Sequence, residues 1–374
     1  MKICFVAPRL HTNQHAWIDV LEKNGHEVFF LATNLGRENQ QHSSFQPTLI
    51  PSKQFTWLIR LILKSTFLIF LKKPRGALYV RPQFRFLYSK IKTINPDVVI
   101  VRDVAPTISL QAFLAAKIMN IKTILYSQHP LEDSLKFHVR IFQFLRLVPR
   151  HHITPMKKSF ENNHNSKTNT YYVPLISHIA SDRITSNASA DKTLRIIFIG
   201  KFSLQRKKHL LMLQAFHAIL SENEVRLTII GTMDTDNPPK AYKDVQKYIK
   251  LNKLESVVDV KINLPHKQMF EEYKKHDVFA LPSVDEPFSI SPIEAMACSL
   301  PAIVSDTNGA KWCVQNGENG FVVESNNQID LENALLYFTD SKKIKYCRKR
   351  AYTYVDLNHS SKVFYTLFKS AINA

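Results

Sequence analysis

Continuous apolar runs of four to six residues alternate along this chain with longer stretches in which apolar positions return every three or four residues. The first pattern marks strands buried on both faces; the second marks helices with one face in a core. Lys2 to Ala7 (K-I-C-F-V-A) reads as a strand, Ala16 to Asn24 as a helix that Gly25 stops, and Glu27 to Leu31 as the next strand. Asn95-Pro96 introduces a further apolar strand, Asp97 to Val101; Ile108 to Met119 is helical, and Thr123 to Tyr126 is again strand-like. From Ser177 to Lys192 the chain turns polar, as a linker does. A second series follows: strand Leu194 to Ile199 ending at Gly200, helix Leu210 to Leu220, strands Arg226 to Gly231 and Val258 to Ile262, helix Lys267 to Lys275, and the apolar block Val278 to Leu281. Asn316 to Val323 is a turn pair running into a strand, and the tail after His359 is helical. This alternation predicts an α/β fold of parallel sheets with helices on both faces. The 374 residues suffice for two such cores, expected over 1–180 and 190–355, with a terminal helix over 356–374.

The second series is organised around Phe279 to Ser305, F-A-L-P-S-V-D-E-P-F-S-I-S-P-I-E-A-M-A-C-S-L-P-A-I-V-S. Pro282 ends the apolar strand, and a loop with Asp285 and Glu286 follows. Ser291-Pro292-Ile293-Glu294 has the order of a helix start: serine as cap, proline at the first position, glutamate at the third. Ser299-Leu300-Pro301 stops that helix before another buried strand, Ala302-Ile303-Val304. Such a strand, loop and helix N-terminus offers backbone N–H groups to an anion. Read by spacing alone, Glu294 is the acidic half of a capping box and Glu286 a solvated loop acid.

The whole string changes that reading. E-P-F-S-I-S-P-I-E-A-M-A-C-S-L-P-A-I-V resembles the E-x7-E signature, followed by E-A-M-A-x-G-x-P-V-V, of the retaining nucleotide-sugar glycosyltransferases of family 4, which have the GT-B fold. Ser289 and Ser299 stand where that family usually has glycine. Gly200-Lys201, with Lys207 at the start of a helix, resembles the family's strand, G-R/K-x and following lysine, with one residue inserted. N-G-H-E-V-F-F-L-A (Asn24 to Ala32) is similar to a G-H-E-V element of its first domain, and Asn316 to Val323 to its N-G-x-N-G-x-L-V. The family's glycine pair after the first strand is replaced here by Pro8 to His15, with Arg9, His11 and His15 as candidate contacts to acceptor or phosphate. The likeness is concentrated between Gly200 and Val323.

The resemblance implies two Rossmann-like parallel-sheet domains facing a central cleft, the last helix crossing back to the first. It implies transfer of a sugar from a nucleotide-diphosphate donor, with a UDP-sugar favoured over a GDP-sugar and with retention of anomeric configuration. Glu286 would hold sugar hydroxyls and stabilise positive character at the anomeric carbon. His129, just past the Thr123 to Tyr126 strand, stands where many members have a histidine against the donor sugar. Lys201 and Lys207 would hold the diphosphate beside Gly200, helped by backbone N–H groups from Phe288, Ser289 and Ile290 to Ser291. Glu294 would accept from the donor ribose, and Asn263 and Leu264 would meet the base. Fixed cations and a helix N-terminus stabilise a diphosphate leaving group without a metal. Asp234-Thr235-Asp236 has metal-site spacing but lies in a loop of the second domain, so neither metal nor cofactor is expected.

Charge adds a partner. The chain carries a net charge of +19, and from Asn39 to Pro96 it has no acidic residue. Within that region Phe55 to Arg75 is strongly apolar yet interrupted by Arg60 and Lys64, which suits a helix lying in an anionic membrane interface better than one crossing it. A buried amphipathic helix whose basic residues snorkel is the alternative. Lys136 to Arg146 is a second basic-aromatic stretch. The four cysteines are scattered, as in a reducing cytoplasm, and the apolar run at the N-terminus is too short for a signal peptide. The expectation is a cytoplasmic enzyme, peripheral on the inner face of the cell membrane, with a lipid-linked or lipopolysaccharide or capsular saccharide as acceptor. Two rivals are a sugar-nucleotide epimerase of the same fold and a basic nucleic-acid binder. The long aliphatic runs among the basic residues disfavour the latter, so no nucleic acid is expected as a partner.

Overall fold

The computed structural model describes residues 1–35, 45–54, 80–103, 107–128, 149–156, 169–177, 193–233 and 237–374. The chain forms two compact units, Met1–Leu175 with Ser361–Ala374, and Ile176–Ser360.

The first unit opens with β1 (Lys2–Ala7), α1 (Thr12–Lys23) and β2 (Glu27–Ala32). There follow β3 (Thr48–Leu49), β4 (Ser52–Gln54), β5 (Val80–Pro82), α2 (Phe84–Ile94), β6 (Val98–Arg102), α3 (Thr107–Ile118), β7 (Lys122–Tyr126), β8 (His151–Thr154) and β9 (Asn169–Tyr172). Seven strands pair in parallel in the order β3-β2-β1-β6-β7-β8-β9, while β4 and β5 form a separate antiparallel ribbon. The inner strands are apolar on both sides because helices cover both faces: Ile3 to Ala7 and Val98 to Val101 are all buried. Helix α1 starts at Thr12, four residues before its first expected position, since His11 is extended and its N–H is met by Gln14 Oε1 at 3.3 Å. His152, on β8, is buried, and neither ring nitrogen has a hydrogen-bond partner among the described residues. Burial lowers its pKa to about 4.

The second unit contains β10 (Leu194–Ile199), α4 (His209–Leu220), β11 (Val225–Gly231), α5 (Lys240–Leu251), β12 (Val258–Ile262), α6 (Met269–Lys274) and β13 (Val278–Leu281). It continues with α7 (Ser291–Ala297), β14 (Ala302–Ser305), β15 (Gly320–Val323), α8 (Gln328–Tyr337) and α9 (Ser341–His359). Its six strands are parallel in the order β12-β11-β10-β13-β14-β15. The chain winds outward from β10 in one direction, then returns to β10's other side and winds outward again. Loops leaving β10 and β13 therefore part at a topological switch point, where doubly wound sheets leave a crevice at their carboxyl edge.

After α9 the backbone extends at Ser360 (ψ 158°) and α10 (Ser361–Asn373) returns to the first unit. Phe364 stacks on Trp17 at 5.1 Å, and the Lys122 ammonium donates to the Ile372 carbonyl at 2.8 Å. Trp17 also packs on Tyr126 and donates to the Pro174 carbonyl at 3.1 Å. Among the described residues no helix is long and apolar enough to cross a membrane.

Candidate active site

At the switch point of the second unit, β10 ends in Gly200, whose N–H donates to the Ile230 carbonyl at 2.9 Å. A Cβ there would stand 3.0 Å from the Lys207 Cβ, so the glycine lets the following turn fold back over the strand end. Residues Gln205–Lys207 make one turn of 3-10 helix; Lys208 then takes a left-handed φ of 59°, and α4 begins at His209. His209 is locked beneath this turn, its Nε2 3.0 Å from the Gly200 carbonyl and its ring stacked on Phe202.

The loop after β13 is tied to that turn through its backbone: the Val284 N–H donates to the Arg206 carbonyl at 2.8 Å. Side chains complete the connection. Lys207 Nζ lies 2.9 Å from Glu286 Oε2, Arg206 Nε lies 3.0 Å from the same oxygen, and Arg206 Nη2 lies 3.3 Å from Oε1. Lys207 and Glu286 are both buried, while Arg206 is over a third exposed. Desolvation holds the Lys207 pKa below that of a free lysine, with Glu286 opposing the shift. Behind the carboxylate, the Glu286 carbonyl accepts from the Gly309 N–H at 2.9 Å. Asn308, fully buried, donates to Ser283 Oγ at 3.2 Å and accepts from the Ala310 N–H at 3.0 Å.

The capping box expected at Ser291 does not form. Ile290 already has helical angles (φ −79°, ψ −28°), so α7 starts one residue early and Ser291 is its first helical residue, with no side-chain cap at Ile290. Ser291 Oγ instead meets Ser289 Oγ at 2.9 Å. Glu294 thereby falls in the fourth helical position, buried, where Tyr273 donates to Oε2 at 3.1 Å and His266 Nε2 lies 3.1 Å from Oε1. Burial first, then the Glu294 charge, raises the Tyr273 pKa well above the ordinary phenol value, which keeps the hydroxyl a donor. Of the two serines found where glycine is usual in the resembling family, Ser299 alone has a positive φ, 62°. It closes α7, its N–H donating to the Met296 carbonyl while that of Leu300 donates to Ala295.

Asn263 has a left-handed φ of 55°, and its side chain accepts from the Met233 N–H at 2.9 Å, joining the ends of β11 and β12. Leu264 beside it is half-buried. Lys201 is half-buried on the β10 turn; Phe288 and Ser289 are buried, and Ile290 is half-buried. The site thus gathers Gly200, Lys201, Lys207, Glu286, Phe288, Ser289, Ile290 and Glu294 on three adjacent segments, with Asn263 and Leu264 at the end of β12. His129, residues 55–75 and 136–146, and Asp234 to Asp236 lie outside the described residues.

Sequence reading missed Arg206, His266, Tyr273, Asn308 and Gly309. The consecutive cations Arg206-Lys207-Lys208 do not show by themselves which of them meets a carboxylate, and the partners of Glu294 come from 21 and 28 residues away. In the first unit, Arg9 Nε donates to the His11 ring at 3.5 Å and His15 is buried within α1. The polar residues gathered at that unit's own switch point, between β1 and β6, were not anticipated. Arg102 donates to Gln128 at 2.8 Å and to Gln14 at 3.4 Å, and Asp103 accepts from Ser127 at 3.0 Å.

Two doubly wound parallel-sheet units in one chain constitute the GT-B fold. Solved structures agree over the whole length. Anabaena Alr3699/HepE in complex with UDP and glucose superposes with a TM-score of 0.71 at 13% identity, covering all of both chains. The lipopolysaccharide outer core galactosyltransferase WaaB, in its apo form, gives 0.63 at 19% identity, covering all of this chain and 99% of the other. Residues 181–354, inside the second unit, match the family model of glycosyl transferases group 1. Among curated proteins, the chain is 29% identical to UDP-Gal:alpha-D-GlcNAc-diphosphoundecaprenol alpha-1,3-galactosyltransferase of Escherichia coli, over 35% of this chain and 42% of the relative. It is 33% identical to the capsular polysaccharide biosynthesis glycosyltransferase CapM of Staphylococcus aureus, over 34% of this chain and 32% of the relative. The chain therefore matches about a third to two fifths of the length of these relatives.

Proposed function

We propose that this chain is a retaining, metal-independent glycosyltransferase of family 4 type, moving a sugar from a nucleotide-diphosphate donor, with a UDP-sugar favoured, to a saccharide acceptor in bacterial surface polysaccharide assembly. The observation that carries the reading is the buried Lys207–Glu286 pair at the switch point, with a second buried carboxylate, Glu294, on the neighbouring helix. The group 1 match over this unit and the names of the similar proteins support it.

In this reading Lys201 and Lys207 hold the diphosphate. As the bond between the anomeric carbon and the phosphate oxygen breaks, its electron pair goes to that oxygen, and the fixed ammonium groups stabilise the new charge with little reorganisation. Glu286 holds sugar hydroxyls and faces the positive character left on the anomeric carbon, which the acceptor oxygen then bonds, its proton passing to the departing phosphate oxygen. Glu294, its position set by Tyr273 and His266, accepts from the ribose. Asn263 and Leu264 flank the base. The acceptor is lipid-linked and the enzyme works at an anionic membrane surface on the cytoplasmic side, a reading supported by the acid-free stretch from Asn39 to Pro96 and by the diphosphoundecaprenol substrate in the Escherichia coli relative's name.

The test is thermal stabilisation by UDP, GDP, ADP and CMP and their sugars, with Lys207→Ala and Glu294→Ala alongside. A ligand at 100 times its Kd adds roughly 2.7 kcal/mol. One diphosphate should stabilise the wild type and lose its effect in both variants. Stabilisation by none of them, or conversion of the donor sugar into its epimer with no acceptor present, sinks the proposal.

A further inference from the structure

The charge arrangement at Glu286 contains one member that the reading above leaves without a task. Lys207 approaches a single carboxylate oxygen, Oε2, as a point charge. Arg206 approaches both, Nε on Oε2 at 3.0 Å and Nη2 on Oε1 at 3.3 Å. A lone ammonium leaves a carboxylate free to turn about its last side-chain bond, whereas a guanidinium fork fixes its plane. Arg206 is attached to the same loop a second time, since its own carbonyl accepts from the Val284 N–H at 2.8 Å, two residues before Glu286. One residue therefore clasps the turn after β10 to the loop after β13 at two points across the switch-point crevice.

Burial separates the two cations further. Lys207 is enclosed, so its charge depends on Glu286. The Arg206 side chain is 39% exposed, which makes its ion pair a weak source of stability and leaves orientation as what the fork contributes. An ionised carboxylate has about four lone-pair sites. The three contacts leave one of them, on Oε1, open to a hydroxyl.

Resting on the donor-site reading, we propose that Arg206 is a positioning residue for the sugar half of the donor. It holds the Glu286 carboxylate in one orientation, with Oε1 presented to a sugar hydroxyl, while the diphosphate is left to Lys201 and Lys207. The consequence is a split between two parts of one ligand. Loss of the fork weakens recognition of the sugar and spares recognition of the nucleotide.

The experiment measures dissociation constants for UDP and for UDP-glucose, UDP-galactose and UDP-N-acetylglucosamine on the wild type, Arg206→Ala, Arg206→Lys and Lys207→Ala. All four proteins are first shown to be folded by circular dichroism and thermal melting. The wild type should prefer one sugar nucleotide to UDP. In Arg206→Ala that preference should fall by about tenfold, the scale of one charge-assisted hydrogen bond, while the UDP constant stays within about threefold. Arg206→Lys, which keeps the charge without the fork, should recover only part of the preference. Lys207→Ala should weaken UDP and sugar nucleotides together. If Arg206→Ala weakens UDP as much as the sugar nucleotide, Arg206 is a phosphate contact and the proposal is wrong. It is equally wrong if neither constant moves or if Arg206→Lys restores the preference in full. If the wild type binds no nucleotide at all, the donor-site reading itself fails and takes the Arg206 role with it, an outcome distinct from the others.

Discussion

Gly309 is the position where one added carbon should do the site most harm. A Cβ there would lie 1.9 Å from the Pro287 carbonyl oxygen and 2.9 Å from its carbon. Carbon–oxygen contacts settle at about 3.3 Å or beyond, so Gly309→Ala requires a separation of more than about 1 Å between two backbone segments. Neither side yields freely. Residue 309 opens a 3-10 turn capped by the buried Asn308, and Pro287 sits between the ion-paired Glu286 and the buried Phe288. The Gly309 N–H also holds the Glu286 carbonyl, so the strain falls on the segment that carries the carboxylate. Overpacking should cost about 1–3 kcal/mol of stability. A displacement of about 1 Å at Glu286 should lower turnover on the order of 100-fold. Gly320→Ala is the matched control. Its Cβ would meet the Ala302 carbonyl oxygen at the same 1.9 Å, but at the amino edge of the sheet, where β14 and β15 begin. Denaturant unfolding with turnover at a temperature where both variants are folded separates the two effects. Gly320→Ala should lose stability alone, Gly309→Ala stability and turnover. Gly309→Ala with wild-type turnover would falsify the idea that the 308–309 backbone positions Glu286.

Three further outcomes follow from the same geometry. Ser299→Gly should stabilise the protein by about 0.5–1 kcal/mol in urea unfolding, because a non-glycine residue at φ 62° bears a left-handed cost that glycine avoids; a loss of stability would contradict this. The buried rings of His152 and His209 both have native pKa values of about 4 against 6.5 when free. Below pH 6.5 the unfolded chain binds protons that the native state refuses, so their stability contribution is complete above that pH. It is lost towards pH 4 at about 1 kcal/mol per pH unit for each ring. Replacing His152 with leucine should flatten this acid loss, and an unchanged slope of stability against pH would show the ring does not titrate as described. Glu294→Gln keeps the side-chain size but presents an amide to the Tyr273 hydroxyl and His266, and should weaken UDP about tenfold by calorimetry; unaltered affinity would remove Glu294 from the ribose.

The two strand-helix series were legible because a strand of a doubly wound sheet is buried on both faces, and an uninterrupted run such as Ile196-Ile197-Phe198-Ile199 or Val278-Phe279-Ala280-Leu281 has few other uses. Strands β8 and β9 escaped notice because H-H-I-T and N-T-Y-Y put polar residues into strands and carry no such run. Helix α9 escaped because its buried stripe, Cys347, Ala351 and Val355, is made of small residues and its first half is crowded with basic side chains from Lys342 to Arg350. The start of α7 was displaced by one residue because Ser-Pro looks like cap and first turn, whereas the backbone angle of Ile290 decides the boundary.

By itself the sequence determined that two parallel-sheet cores would form, and it placed Lys201, Lys207, Glu286 and Glu294 at the carboxyl ends of strands or on the helix that follows, since burial patterns and turn residues are local properties. Tertiary structure alone decided which strands are neighbours, and so that the β10 and β13 loops share one crevice. It also decided which charges meet: Arg206 and Lys207 reach Glu286 across about 80 residues of chain, and Tyr273 and His266 reach Glu294 from an adjoining segment. Such pairs depend on the order in which strands stack, which is set by the packing of whole faces, and no short stretch of residues encodes it.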